Sequence, residues 1–262
     1  METTRGADVA GILSVAGLSV CLVDLLHEAG HLAATALPLG VAAISISTIG
    51  VSSRGVSAVV AAAGPVTNLL LAIGLLGAFS RALPPDWRYF AWLFGSGSLF
   101  NATAYLIYSA ASATGDWAVV FDALSPSGAW RLPVAAAGCV VYAASVLASA
   151  RALRALCGAG IVSAANVERY CALSYVAGGV VLTAGAALNP VSPWYVLTSG
   201  AATGFGAMAG LMLIPARLRD LSAREGETPH EGLRLGRGWI AAGVVAVLVF
   251  VGVFGPGVRL GR

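Results

Sequence analysis

Lysine is absent from this 262-residue sequence, and charged residues of any kind are scarce at 10%. Hydrophobic residues make up 58%, the mean hydropathy is +0.85, and all 15 basic residues are arginines. A soluble domain of this length carries far more charge, so the composition predicts an integral membrane protein. No basic cluster is interleaved with aromatic residues, which argues against a nucleic-acid surface, and a net charge of +3 identifies no partner.

Cysteine is also scarce. Its four residues are scattered in or beside apolar segments, without a CxxC pair. Metal fingers need closely spaced pairs, so none is predicted. We interpret the cysteines as packing residues: Cys21, Cys139, Cys157 and Cys171.

Long apolar runs are abundant, and a transmembrane helix needs roughly 20 such residues. The pattern predicts an all-α, polytopic membrane helix bundle of about seven spans. The connections carry most of the arginines, prolines and tryptophans, as interfacial segments do. The predicted spans cover residues 11–37, 56–79, 89–112, 132–150, 170–188, 194–214 and 239–254.

The first span contains HEAGH, residues 27–31, in an otherwise lipid-soluble stretch. Residues four apart project from one face of a helix, so His27 and His31 could fill two positions of a tetrahedral zinc site. Glu28 beside them could hold and deprotonate a zinc-bound water. Ionisable groups within a span are costly and are retained mainly for function. We therefore predict a metal site in preference to a pair of hydrogen-bonded core histidines.

A catalytic zinc site normally has three protein ligands, so one more must come from elsewhere. His230 lies in a polar loop, where solvation explains it better, and Asp24, Asp116 and Asp122 remain. The predicted first and third spans cross the membrane in the same direction, so the end of span one and Asp116 after span three meet at one side. Asp116 is therefore the predicted third ligand, and capping of the next helix is its alternative role.

Three motifs together resemble the site-2 protease family of intramembrane zinc metalloproteases. HEAGH lies on the first core helix, and GPVTN, residues 64–68, resembles the family's GPxxN on the second. Asn101 followed by Gly115 and Asp116 corresponds to the third. The resemblance covers roughly residues 10 to 122, the catalytic core of the family.

The resemblance implies roles for two further features. Asn68 would donate a hydrogen bond to the developing oxyanion of the scissile carbonyl; its alternative is a hydrogen bond to a neighbouring helix. Residues 41–57 alternate apolar and small polar residues around Gly50, which predicts a short β-hairpin between spans one and two, with a simple connecting loop as the alternative. In the family, such a hairpin offers an edge to which an unwound substrate adds as a strand.

Asp24 lies three residues before His27 and so on nearly the same helix face. It is predicted either to orient a ligand imidazole by accepting its hydrogen bond or to be a simple interfacial polar residue.

These features predict a membrane-embedded zinc metalloendopeptidase that hydrolyses peptide bonds in or near the transmembrane segments of substrate proteins. Its metal ligands would be His27, His31 and Asp116, its catalytic residues Glu28 and Asn68, and its cofactor Zn²⁺. The expected partners are a membrane-protein substrate and the lipid bilayer, and no nucleic acid.

Two other functions stay open: a non-catalytic, metal-binding relative that acts as a membrane interaction partner, and a metal or solute transporter. Retention of Glu28, which chemistry needs and zinc binding does not, argues against the first. The near absence of ionisable residues in spans four to seven argues against the second.

We expect a multi-pass protein of a bacterial cell membrane in two parts. Residues 1–122 form the predicted catalytic membrane core, and residues 123–262 add further transmembrane helices and a polar loop at 215–237.

Overall fold

The computed structural model describes residues 8–79, 83–125, 127–194, 196–219 and 233–260. The chain is mostly helical. Its α-helices are α1 Val9–Ala34, α2 Ala58–Ile73, α3 Pro85–Ser112, α4 Asp116–Leu124, α5 Arg131–Gly158, α6 Val167–Ala187, α7 Gly210–Leu213 and α8 Arg237–Val249. π-Helical segments follow α2 at Gly74–Phe79 and α8 at Phe250–Phe254, and another precedes α7 at Val196–Gly206. Most of the predicted polar loop, including His230, lies outside the described residues.

Six helices of the described part are long and apolar enough to cross a membrane: Val9–Ala34, Ala58–Gly77, Arg131–Gly158, Ala164–Ala187, Val196–Arg217 and Arg237–Phe254. They agree with a membrane protein that has several spans. The predicted count of seven is not confirmed.

The difference in the count lies in α3, which contains the predicted third span, residues 89–112, and is not among the six. Ser96, Ser98 and Asn101 are buried in this helix and lower its hydropathy. α3 packs against α1, α2 and α5, and the indole of Trp92 donates to the Ser149 carbonyl of α5 at 3.0 Å. Because protein encloses α3, its surface does not have to be continuously apolar.

α1 is the central helix of the bundle. Its first turn is capped by the carboxylate of Asp8, which accepts from the backbone N–H of Gly11 at 3.1 Å. α2, α3, α6 and α8 all pack against it, so that Ile12, Val15 and Val23 are almost fully buried. Apolar burial does not drive helix association within lipid, and close packing of this kind takes its place.

The predicted hairpin is confirmed, and a third strand extends it. The strands are β1 Ala42–Ser47, β2 Gly50–Arg54 and β3 Val258–Arg259. They form an antiparallel sheet in the order β2-β1-β3, with β1 in the middle.

Val51 is turned toward the outer edge of this sheet. It lies opposite Ile46, which pairs with Val258 on the other side. The Leu260 N–H donates to the Ile44 carbonyl, so the even-numbered residues of β1 direct their backbone groups at β3. The backbone N–H and C=O of Val51 therefore point away from β1.

Candidate metal-binding site

Ionisable side chains gather in the C-terminal half of α1. Spacings of three, four and seven residues place them on one side of the helix, and all are buried: Asp24, His27, Glu28 and His31. The rings of His27 and His31 meet edge to face with their centroids 4.7 Å apart. The ligand-type atoms of His27, Glu28 and His31 lie within 4.8 Å of one another, so this cluster could hold a metal ion.

Asp116 joins the two histidines from another part of the chain. Its Oδ2 lies 3.0 Å from Nε2 of His27 and 3.3 Å from Nε2 of His31, and the two Nε2 atoms are 3.1 Å apart. Burial alone would raise the pKa of Asp116, but the two imidazoles beside it outweigh that effect and lower the pKa to about 2. A charged carboxylate oxygen and two imidazole nitrogens thus form a small triangle.

A tight reversal of the chain between α3 and α4 positions Asp116 beside the two histidines. Ala113, directly after the end of α3, has the left-handed conformation (φ 56°), and Gly115 has φ 83°. Glycine adopts such an angle without strain, whereas other residues do not. A Cβ at Gly115 would also lie 3.3 Å from Ser109, Tyr105 and Tyr108. The bend leaves Asp116 in the first turn of α4, where it faces α1.

Helix α2 contacts both imidazoles at the nitrogens outside the triangle. Nδ1 of His31 lies 2.7 Å from the Val60 carbonyl, and Nδ1 of His27 lies 3.2 Å from Nδ2 of Asn68. Gly64, between them on α2, faces the triangle itself: a Cβ there would lie 2.7 Å from Nε2 of His27 and would clash with Nε2 of His31.

Glu28 is buried and lies beside the sheet. The backbone N–H of Val51 is close enough to its carboxylate to interact with it, as the outward orientation of Val51 on β2 allows. One carboxylate oxygen, Oε2, is buried and has no hydrogen-bond partner among the described residues. Oε2 is thus available to a further partner.

Tyr105 of α3 contacts both the cluster and a cavity. The ring of Tyr105 contacts that of His27 at a centroid distance of 5.6 Å. Tyr105 also lines a cavity of about 300 Å³, together with Tyr108, Tyr142, Thr203 and Gly206.

The other sequence candidates lie elsewhere or have other partners. Asp122 accepts a hydrogen bond from the indole of Trp130 at 2.7 Å. Asp24 is buried with Oδ2 unpartnered, and the described partners of the two Nδ1 atoms are the Val60 carbonyl and Asn68 rather than Asp24.

The predicted ligands His27, His31 and Asp116 are thus brought together, with Glu28 beside them. Asn68 makes a contact with a neighbouring helix, the alternative considered for it.

No family model, curated protein or solved structure matches this chain.

Sequence reasoning missed the carbonyl of Val60, the N–H of Val51 and the ring of Tyr105. The first two are backbone groups, which no residue type announces. The third had a weak signal, since Tyr105 lies four residues after Asn101 on the helix that carries the third motif.

Proposed function

We propose that this chain is a membrane-embedded, zinc-dependent metalloendopeptidase of the site-2 protease type. The observation that supports it best is the triangle formed by Nε2 of His27, Nε2 of His31 and Oδ2 of Asp116, with sides of 3.0–3.3 Å. The three residues come from two separate helices, and two buried imidazole nitrogens with a partly buried carboxylate oxygen at such distances make a set of ligand atoms for one cation.

The donor set suits zinc. Zinc forms bonds of about 2.0–2.1 Å to imidazole nitrogen and carboxylate oxygen, so ligand atoms at tetrahedral angles lie about 3.3–3.4 Å apart. Three protein ligands leave the fourth position open, as in catalytic rather than structural zinc sites. When bound, zinc supplies Lewis acidity, which polarises a carbonyl group and lowers the pKa of water toward neutrality.

Glu28 is the proposed proton carrier. Because its Oε2 is buried without a hydrogen-bond partner among the described residues, this oxygen can accept a proton from the water that attacks the scissile carbonyl carbon. Glu28 then returns that proton to the amide nitrogen as the C–N bond breaks. The products are a carboxylic acid and an amine, and no other reactant is required.

The outer edge of β2 is the proposed docking line for the substrate. A peptide bond inside a helix has its carbonyl engaged in the helix's own hydrogen bonds, so cleavage requires an extended segment. β1 is already paired on both sides, whereas the backbone groups of Val51 face outward beside Glu28. A substrate strand added to β2 would thus pass next to the proposed proton carrier.

The experiment compares three forms of the purified full-length protein in lipid: wild type, Glu28→Gln, and the control Glu168→Gln, which changes an exposed glutamate on α6. Bound zinc is measured by mass spectrometry of the metal. Cleavage is measured on a panel of single-span peptides reconstituted in the same vesicles. We expect one zinc per chain in all three, and cleavage by wild type and Glu168→Gln only.

Three results would overturn the proposal in different ways. Cleavage that survives in Glu28→Gln removes the assigned proton carrier. If the wild type binds zinc but cleaves no peptide of the panel, the chain is a non-catalytic metal-binding protein. If the wild type binds no zinc after a stoichiometric excess has been added, the proposed metal site is refuted.

A further inference from the structure

One face of α2 contacts the candidate site at three successive turns. The Val60 carbonyl, Gly64 and Asn68 are spaced four residues apart, and each touches His27 or His31. We propose that this face positions the two imidazoles: Gly64 keeps the space in front of their Nε2 atoms open, and Asn68 holds the ring of His27 at Nδ1, whichever of its nitrogens bears the proton. The proposal rests on the metal-binding half of the proposed function.

Gly64 sits where a side chain would fill the site. A Cβ would lie 2.7 Å from Nε2 of His27 and from Cε1 of His31, and closer still to Nε2 of His31. Cβ atoms are not found that near to other heavy atoms, so something would have to move. Each ring is held at Nδ1 by α2 itself, and moving it away would break that hydrogen bond. An alanine at position 64 therefore competes directly with a bound ion.

The histidines differ in what holds Nδ1. A carbonyl only accepts, so Nδ1–H of His31 donates to Val60, and the lone pair of Nε2 is available for a metal. Nδ1 of His27 faces the side-chain amide of Asn68. A 180° rotation of that amide exchanges the positions of its oxygen and its NH₂ group.

Asn68 supports either tautomer of His27. With NH₂ toward Nδ1, the proton lies on Nε2, which donates to Asp116 across 3.0 Å. In that orientation Oδ1 is buried without a partner among the described residues. With Oδ1 toward Nδ1, the amide accepts from Nδ1–H and the lone pair of Nε2 is free for the metal. The fully buried amide thus acts on the ring nitrogen that lies outside the triangle, not on the substrate.

Zinc affinity of the full-length protein in detergent, measured by competition with a chelator, tests both roles. For the glycine we compare Gly64→Ala with Gly77→Ala, a control further along the same helical segment where a Cβ would meet nothing within 4 Å. We expect the first to weaken zinc binding by more than about 100-fold and the second to leave it unchanged. Equal affinities of the two variants would refute the role of Gly64.

The asparagine is tested with Asn68→Asp and Asn68→Leu. Aspartate can accept from Nδ1–H, so zinc affinity should stay within about threefold of wild type or rise; leucine cannot, so it should fall about 10–100-fold. The control is Asn189→Leu, which removes an amide that donates to the Gly255 carbonyl. The absorption spectrum of the Co²⁺-loaded protein should change for the leucine variant at position 68 alone.

The outcomes separate this proposal from the protease proposal. If Asn68→Asp binds zinc as poorly as Asn68→Leu, or Asn68→Leu as well as wild type, Asn68 does not position His27. If both bind zinc normally and cleavage is lost, Asn68 instead donates to the oxyanion. If the affinities follow the expected order while wild type cleaves no peptide, the positioning role stands and the peptidase assignment fails.

Discussion

Among the described residues, Asp116 is the carboxylate that lies within hydrogen-bonding distance of both imidazoles, and we expect Asp116→Ala to remove most of the stabilisation by zinc. Loss of an outer hydrogen bond to a metal ligand lowers affinity about 10–100-fold, so loss of a direct ligand should cost at least about 100-fold. A zinc concentration of 100 times the wild-type Kd stabilises the wild type by about 2.7 kcal/mol. The same concentration should stabilise the variant by only about 0.4 kcal/mol.

Thermal unfolding in detergent, with and without zinc, measures this difference. Without zinc, Asp116→Ala should itself be less stable by about 1.5–3 kcal/mol, because charge-assisted hydrogen bonds to buried histidines are lost. The control is Asp122→Ala, which lies on the same helix and loses a hydrogen bond from Trp130. It should keep the full response to zinc. A zinc response in Asp116→Ala as large as in Asp122→Ala would refute the ligand assignment.

Three more predictions test the surrounding structure. Gly115→Ala should lower the free energy of unfolding by about 1–2 kcal/mol, because φ is 83° there, and should also weaken zinc binding; unchanged affinity would show that the reversal does not place the carboxylate. Val51→Pro should reduce peptide cleavage more than tenfold with zinc content unchanged, as it removes the backbone N–H beside the proposed proton carrier, whereas Val56→Pro in the exposed loop should not. Trp92→Phe should lower the free energy of unfolding by about 1–3 kcal/mol through its lost hydrogen bond to α5, and exposed Trp194→Phe should have no such effect.

The parts of the site that the sequence predicts are those set by local geometry. His27, Glu28 and His31 are neighbours on one helix, so their common position follows from helical periodicity alone. Asp116 required a further step, the direction in which successive spans cross the membrane. The structure places Asp116 beside the histidines because α3 ends at Ser112 and the chain reverses within three residues.

The parts that the sequence does not predict depend on backbone groups or on burial. Nearly every residue has a backbone carbonyl and a backbone N–H, so only the three-dimensional position of these groups at Val60 and Val51 distinguishes them. The third strand has two residues, too few for any alternating pattern. The GPVTN motif identifies Asn68, but it does not predict which atoms the Asn68 side chain contacts. Those contacts depend on how closely α2 approaches α1.

The enclosure of α3 by its neighbours also has a consequence for biogenesis. A helix that carries Ser96, Ser98 and Asn101 gains little from contact with acyl chains, so its stability in the bilayer depends on the surfaces of α1, α2 and α5. The apolar helices can enter the membrane one at a time, whereas α3 depends on packing against its partners, one of which, α5, follows it in the chain. Mutations at the α3–α5 contact should therefore reduce the yield of inserted protein before they affect any chemistry.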